Sequence, residues 1–350
     1  MKRIILLILC ILALCGCGRV DKDNVIKQLS NKITKSSSYT IDGKMQIISN
    51  EEKFDYNIEV NYLKDDYYKV VLLNNSNNHE QIILRNKDGV YVITPSLNKS
   101  FKFQSEWPNN SSQAYILESL LKDIKNDNKV EFESNEDGYI LKVKVVYPNN
   151  SNLEYEKIYV DKDINLKKIE VYDRNDQVSI TVTIDKIDYR ANLDKDSFEL
   201  DNFINESCCD KNEENCTNPC PEECKTEDCN KQASSLDTAI YPLYVPENSS
   251  LASNEVINTD NGNRLILTFS GENEFVLIEE ASKVYDNMEV VPVYGDPHIL
   301  NSSVVALSAN SLYWTDSNVD FYLASNTLSG EEMLTIAASM TNSQIVSQTK

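Results

Sequence analysis

Two histidines, nine glycines, nine prolines and two tryptophans are all that 350 residues contain of these types. Histidine is the usual general base near neutral pH, so its scarcity narrows the chemistry at once. His79 falls in the polar turn Asn74 to Glu80, and His298 follows Asp296-Pro297. Neither sits with a serine or cysteine nucleophile in a recognisable motif, and both read as solvated loop residues. Nine glycines leave no phosphate-cradling loop. Positive charge is scarce too, with 34 Lys and Arg against 55 Asp and Glu and a net charge of −21. Such a surface repels phosphate backbones, which excludes nucleic acid as a partner. No catalytic residue, metal site or cofactor is expected, and the chain reads as a binding protein, not an enzyme.

A membrane-spanning run is missing as well. The longest apolar stretch, Ile4 to Leu14, has eleven residues, where a helix needs about twenty to cross a bilayer core. Preceded by Lys2 and Arg3, it fits the hydrophobic region of a signal peptide. The following Leu14-Cys15-Gly16-Cys17 resembles the bacterial lipobox, with Leu three before the modified cysteine and a small residue just before it. The resemblance implies cleavage after residue 16 and acylation of Cys17 by a diacylglyceryl thioether and an N-acyl chain such as palmitate. Several chains at about 0.8 kcal/mol per buried CH₂ anchor a protein where one does not. The expected location is the extracytoplasmic face of the cell membrane. Loss of Lys2 and Arg3 leaves 32 bases against 55 acids, a net charge of −23.

Low glycine and proline with nineteen tyrosines favours β-rich globular structure over disorder. Residues 23–35 carry Val25, Ile26, Leu29 and Ile33 at helical spacing. The period then changes to two: Tyr39, Ile41, Gly43, Met45 and Ile47 alternate with polar residues, as do Phe54, Tyr56, Ile58, Val60 and Tyr62. Strands are expected at 67–73, 80–85, 90–94, 139–147, 154–160, 166–172 and 178–189, joined by turns such as Asp88-Gly89 and Asp137-Gly138. Short turns make such strands antiparallel neighbours. A helix over 112–125, capped by Ser111 or Ser112, presents Leu117, Leu120, Leu121 and Ile124. Trp107, in the loop before it, is placed as a lid. The aromatic alternation at 54–62 either fills a core or lines a cavity, with core favoured.

The stretch 204–236 interrupts this pattern with Cys208, Cys209, Cys216, Cys220, Cys224 and Cys229. It has almost no large apolar residue and cannot form a core by itself. Six cysteines in an exported chain point to disulfides of unknown pairing, with free thiols or a soft metal as alternatives. The spacings match no zinc pattern, and no histidine is near. Beyond it, strands are expected at 241–245, 264–269, 274–280, 288–293, 303–307, 311–315 and 319–324. A final helix opens with the capping box Ser329-Gly330-Glu331-Glu332 and buries Met333, Ile336, Ala337 and Met340. Two acid pairs invite a catalytic reading. Glu279-Glu280 lies on a strand, where neighbours point to opposite faces, and Glu331-Glu332 begins a helix, where acids complement the dipole.

A family resemblance gathers these elements. The helix after the lipobox, the meander, the run Asp88 to Pro95, the strand ending Phe101-Lys102-Phe103 and the closing stretch Tyr189 to Leu200, with Leu193 and Phe198, resemble the LolA-like fold. That fold is an incomplete β-barrel plugged by helices around a hydrophobic cavity. The resemblance covers about residues 20–203 and is strongest to sporulation and germination lipoproteins of the GerS type in spore-forming Gram-positive bacteria. Tyr241 to Pro246, Leu265 to Ser270, Ser311 to Trp314 and Glu331 to Met340 resemble a domain of unknown function that often follows a LolA-like domain.

The expected layout is a signal peptide at 1–16, a LolA-like domain at 17–203, an acidic Cys-rich linker at 204–236, a small α+β domain at 237–342 and a disordered tail at 343–350. The fold class is α+β, mostly antiparallel β. The expected function is a membrane-tethered protein of sporulation or germination that holds or regulates an envelope protein, for which the GerS resemblance implies a cortex-modifying amidase. The alternative is a sensor that binds lipid or lipopeptide in the LolA-like cavity. A tethered chain cannot ferry cargo across a wide gap, which speaks against a free lipoprotein carrier.

Overall fold

In the computed structural model, residues 21–49, 51–203, 236–259 and 262–340 are described. Cys17 and the six cysteines from Cys208 to Cys229 lie outside them. The chain opens with α1 (Lys22–Thr34) and runs through β1 (Ser38–Ser49), β2 (Glu52–Leu63), β3 (Tyr67–Asn74), β4 (Glu80–Asn86), β5 (Gly89–Thr94) and β6 (Lys99–Gln104). After α2 (Leu117–Asn126) come β7 (Glu131–Ser134), β8 (Gly138–Lys144), β9 (Leu153–Asp161), β10 (Leu166–Asp173) and β11 (Val178–Asp188). The later part contains β12 (Ser249–Thr259), β13 (Gly262–Gly271), β14 (Phe275–Ala281), β15 (Glu289–Tyr294), β16 (Asp296–Leu300), β17 (Ser303–Leu307), β18 (Ser311–Asp316), β19 (Val319–Ala324) and α3 (Gly330–Ala338).

These strands build a 12-stranded sheet in the order β15-β6-β5-β4-β3-β2-β1-β11-β10-β9-β8-β7 and a 7-stranded sheet in the order β12-β13-β14-β19-β18-β17-β16. The larger sheet ends at β15 and β7, which do not pair, so no barrel closes. Its pairings are antiparallel except β15 with β6, which is parallel. The expected mostly antiparallel α+β architecture is the one observed.

Alternation decides which face each strand buries. Tyr39, Ile41 and Met45 of β1 and Tyr56, Ile58 and Val60 of β2 all lie on one face and are almost fully buried, as a period of two requires. Val25, Leu29 and Ile33 of α1 and Leu117, Leu120 and Ile124 of α2 pack onto that face. Each such side chain contributes about 1.5–3 kcal/mol by leaving water. The opposite face of β3 to β5 has its own cluster, where Phe198 fills the space between Tyr67, Ile82, Leu84, Tyr91 and Ile93. Thus the closing stretch pins the outside of the sheet while the helices fill the inside.

Several expectations need correction. The central helix begins at Leu117, not 112, with Ile116 at its N-cap. Ser112 instead ties its segment to the end of the β8 region: its N–H donates to the Val146 carbonyl and its hydroxyl accepts from the Val146 N–H, each at 2.8 Å. Trp107 is 1% exposed and packs edge-on against Tyr68. It is core, not a lid. Residues 241–245 form no strand, whereas β7, β12 and β16 are strands outside the expected runs. The final helix has the expected capping box, with Ser329 and Glu332 each bonding the other's backbone.

The two sheets are joined by the chain itself. After β15 runs alongside β6, the backbone turns at Gly295 and enters the second sheet as β16. Gly295 has φ +119°, and a Cβ there would lie 1.8 Å from the Leu307 carbonyl oxygen. Only glycine fits both the backbone and the space. From there β16 to β18 lean into the first sheet: Val304 and Ala306 join its core, with Ile299 and Tyr313 packed against it.

Candidate functional site

Polar contacts fix this junction. The Val304 N–H donates to Gln81 Oε1 at 2.6 Å, and the Tyr56 hydroxyl donates to the Asn301 carbonyl. Ser105 donates to Asp296 at 2.5 Å. Lys99, only 3% exposed, places its ammonium 2.6 Å from Asp320 Oδ2 and over the rings of Phe101 and Tyr313. Asp320 also accepts from the Ser282 and Thr315 hydroxyls, so the buried ion pair keeps polar partners on both sides.

Beside these contacts opens a cleft of about 730 Å³. Its apolar lining comes from the ends of β1 and β11 (Met45, Ile47, Ile180), from β16 (Ile299) and from α3 (Leu334). Tyr115 and Tyr147 stand on the loops that flank α2 and follow β8. Among the described residues, the charged lining residues are Glu51, Asp173 and Glu331, with no lysine or arginine. Asn149, Asn150 and Asn152 add amides on one side, and the Ser151 hydroxyl donates to Glu331 at 3.1 Å. A smaller groove of about 670 Å³ between α1 and α2 includes Ile26, Leu121, Lys122 and Lys125.

Neither histidine is a solvated loop residue: His79 is in a loop but half-buried, and His298 is in a strand. His298 lies in β16 and lines the cleft, where the Asn149 side-chain nitrogen lies 3.3 Å from its Nε2. Burial holds its pKa below the ordinary value, opposed by Asp296. The lowered pKa favours the neutral ring, and a bare Nε2 of that ring accepts from the Asn149 amide. His79 is half-buried, its Nε2 has no partner among the described residues, and burial lowers its pKa against the opposing charge of Asp316. His79 stays in the loop between β3 and β4 but is half-buried near Asp316, whereas His298 is part of a strand of the second sheet.

Several carboxyls are also buried. Glu156 is fully enclosed, neither oxygen has a partner among the described residues, and burial followed by the charge of Asp123 pushes its pKa well above the carboxylate range. Burial raises Asp123 to about 6, although Ser112 and Lys122 oppose it. Neither residue lines the cleft. Glu118 is raised by burial too, and it accepts the Tyr39 hydroxyl at 2.6 Å. The pair Glu279 and Glu280 points to opposite faces, as alternation requires. Glu279 is inside, accepts the Ile240 N–H at 2.9 Å and is raised by burial to about 7, while Glu280 pairs with Arg264. The cleft itself was not legible beforehand: positions 45, 180, 299 and 334 have no sequence proximity, and only the inward alternation of Met45 and Ile47 hinted at it.

Among the described residues, no helix is long and apolar enough to cross a membrane. Comparison with known proteins places the chain. The family model "Sporulation protein YdcC-like" matches residues 1–198. The sporulation protein YdcC of Bacillus subtilis (strain 168) is 35% identical over 336 residues, covering 95% of this chain and 94% of that protein. Among solved structures, the CwlD amidase from Clostridioides difficile in complex with the GerS lipoprotein aligns at 19% identity and a TM-score of 0.30, over 50% of this chain and 99% of that one. The LolA superfamily protein NE2245 from Nitrosomonas europaea aligns at 11% identity and a TM-score of 0.29, over 50% and 97%. By the match to the family model and the identity along nearly its whole length, the chain belongs to the sporulation protein YdcC-like family.

Proposed function

We propose that this member of a sporulation family is a non-catalytic, membrane-tethered extracytoplasmic protein that holds or regulates an envelope protein, and that the cleft receives a segment of that partner. The carrying observation is the lining: Met45, Ile47, Ile180, Ile299 and Leu334 offer apolar contact, and among the described residues the charges are the negative ones of Glu51, Asp173 and Glu331. A segment with apolar and cationic side chains satisfies both. Steering by complementary charge raises association rates and selects partners. The tether at Cys17 keeps the cleft near the membrane, where such a partner is met. The reading as a non-enzyme rests on the sequence, in which neither histidine belongs to a recognisable nucleophile motif.

A lipid or lipopeptide ligand is the competing reading. Against it weighs the second sheet, whose Val304, Ala306 and Tyr313 pack on the inner face that an open lipid cavity would need. The test is Ile180→Asp in the full-length protein, expressed during sporulation and recovered with its partners. The expected result is loss of one specific envelope protein that the wild type retains, with at least about a tenfold fall in affinity once that protein is purified, because a charge is then buried without a partner. Retention of the same protein by the variant, with lipid recovered from the wild type, would favour the lipid reading.

A further inference from the structure

The 7-stranded sheet has a long unused edge. β12 forms one end of it and, among the described residues, pairs only with β13. Its eleven residues are exposed or half-exposed throughout. The register of the β12–β13 hairpin says which backbone groups are free. Thr259 faces Gly262 across a two-residue connection, and such a closing pair is hydrogen-bonded. Alternation then makes Ile257–Arg264, Glu255–Ile266 and Ser253–Thr268 bonded pairs as well. Asn258, Val256 and Asn254 fall between them, so their N–H and C=O groups point away from β13. No other described backbone group takes them up.

Side chains add to the backbone argument. Cross-strand partners share a face, so Val256, opposite Leu265, and Leu251, opposite Phe269, lie on the side of the buried core. Leu265 and Phe269 are nearly sealed, yet Val256 is 55% and Leu251 43% exposed. On the outer face Ile257 is 44% exposed. The core layer therefore stops one strand short of its edge. Natural edges are usually blunted by lysine, proline or a short length. β12 has neither residue type and is eleven residues long; its one irregularity is the register shift between Leu251 and Ser253.

Charge selects the occupant. From residue 233 onward the chain has fifteen acids and three bases. Glu247, Glu255 and Glu272 are exposed around the edge, and Arg264 is engaged by Glu280. A second copy pairing through β12 would bring like charges together, since both copies carry Glu247 and Glu255, and like charges facing across strands destabilise pairing. We propose that β12 is an acceptor edge for an extended strand of a protein partner, one that alternates apolar with lysine or arginine side chains. The strand adds main-chain bonds at Asn254, Val256 and Asn258, covers Val256 and Leu251, and sets its cations against the acids. This is the strand-addition mode of peptide recognition, on a surface separate from the cleft.

The test uses the full-length protein and a nine-residue peptide alternating valine with lysine; a valine–glutamate peptide of equal length is the control. Hydrogen exchange should slow at the amides of Asn254, Val256 and Asn258 with the lysine peptide and not with the control. Val256→Pro removes an outward N–H while leaving the ladder to β13 intact, since proline is tolerated on edges. It should weaken the lysine peptide at least about tenfold, the effect of losing one or two main-chain hydrogen bonds, with unchanged exchange along β13. Slowing by both peptides alike, slowing elsewhere in the chain, or equal affinity of Val256→Pro would overturn the proposal. So would protection of these amides by self-association in the absence of peptide, which would make the occupant a second copy.

Discussion

Replacing Lys99 by methionine removes the one cation of the buried pair at the junction of the two sheets. The wild-type ammonium is 2.6 Å from Asp320, and the side chains are 3% and 16% exposed. Breaking a buried pair by removing one partner costs about 3–5 kcal/mol, because the other charge stays buried and uncompensated. Two features reduce this for Lys99→Met. Asp320 keeps the Ser282 and Thr315 hydroxyl donors at 2.9 and 2.6 Å, and methionine keeps apolar contact with Phe101 and Tyr313. We expect a loss of about 2–3 kcal/mol. Asp320→Asn is the harsher change, since it leaves a lysine 3% exposed with neutral partners alone, the asparagine oxygen and the Tyr313 hydroxyl at 3.2 Å, and no countercharge. It should cost about 3–5 kcal/mol. The double variant should recover much of the sum, giving a coupling of about 2 kcal/mol in a double-mutant cycle. Urea unfolding followed by tyrosine and tryptophan fluorescence measures all four proteins. Additive losses, with coupling below about 0.5 kcal/mol, would refute the claim that this pair locks the sheets together.

Other outcomes follow from the same geometry. Glu279→Gln should change the pH dependence of stability. A carboxyl raised to about 7 favours the folded state below its ordinary pKa and loses that contribution as pH rises from about 4.5 to 7. The variant should therefore match the wild type near pH 4 and exceed it at pH 8 by up to about 3 kcal/mol, read from urea midpoints. Gly295→Ala places a Cβ against the Leu307 carbonyl at positive φ and should cost at least about 2 kcal/mol. Phe198→Ala empties the outer cluster and should cost about 3–5 kcal/mol, lowering the unfolding temperature without changing binding at the cleft.

What sequence reasoning could see follows from periodicity. β1 and β2 alternate because one face is buried, and Val25, Leu29 and Ile33 recur at helical spacing because one stripe is. The capping box at Ser329 is local chemistry and was legible for that reason. β12 was invisible because it is exposed on both faces, so nothing forces its residues to alternate. β16 is five residues long and contains Pro297, a poor strand signal. Tyr241 to Val245 has the composition of a strand, but its polar bonds go elsewhere: Leu243 and Tyr244 donate to Ser339 after α3, and the Tyr241 hydroxyl accepts from Asn254. The cleft was hidden for a further reason. It exists only once the second sheet leans on the first, and no local pattern records that packing.

The central claim is that the cleft between the sheets holds a segment of an envelope protein. A photoreactive amino acid placed at Leu334, inside the cleft, and separately at Lys186, on an exposed part of β11, tests it most directly in sporulating cells. The account predicts one discrete protein adduct from position 334, abolished by Ile180→Asp and absent from position 186. Lipid adducts alone from 334, or the same protein adduct from both positions, would contradict it.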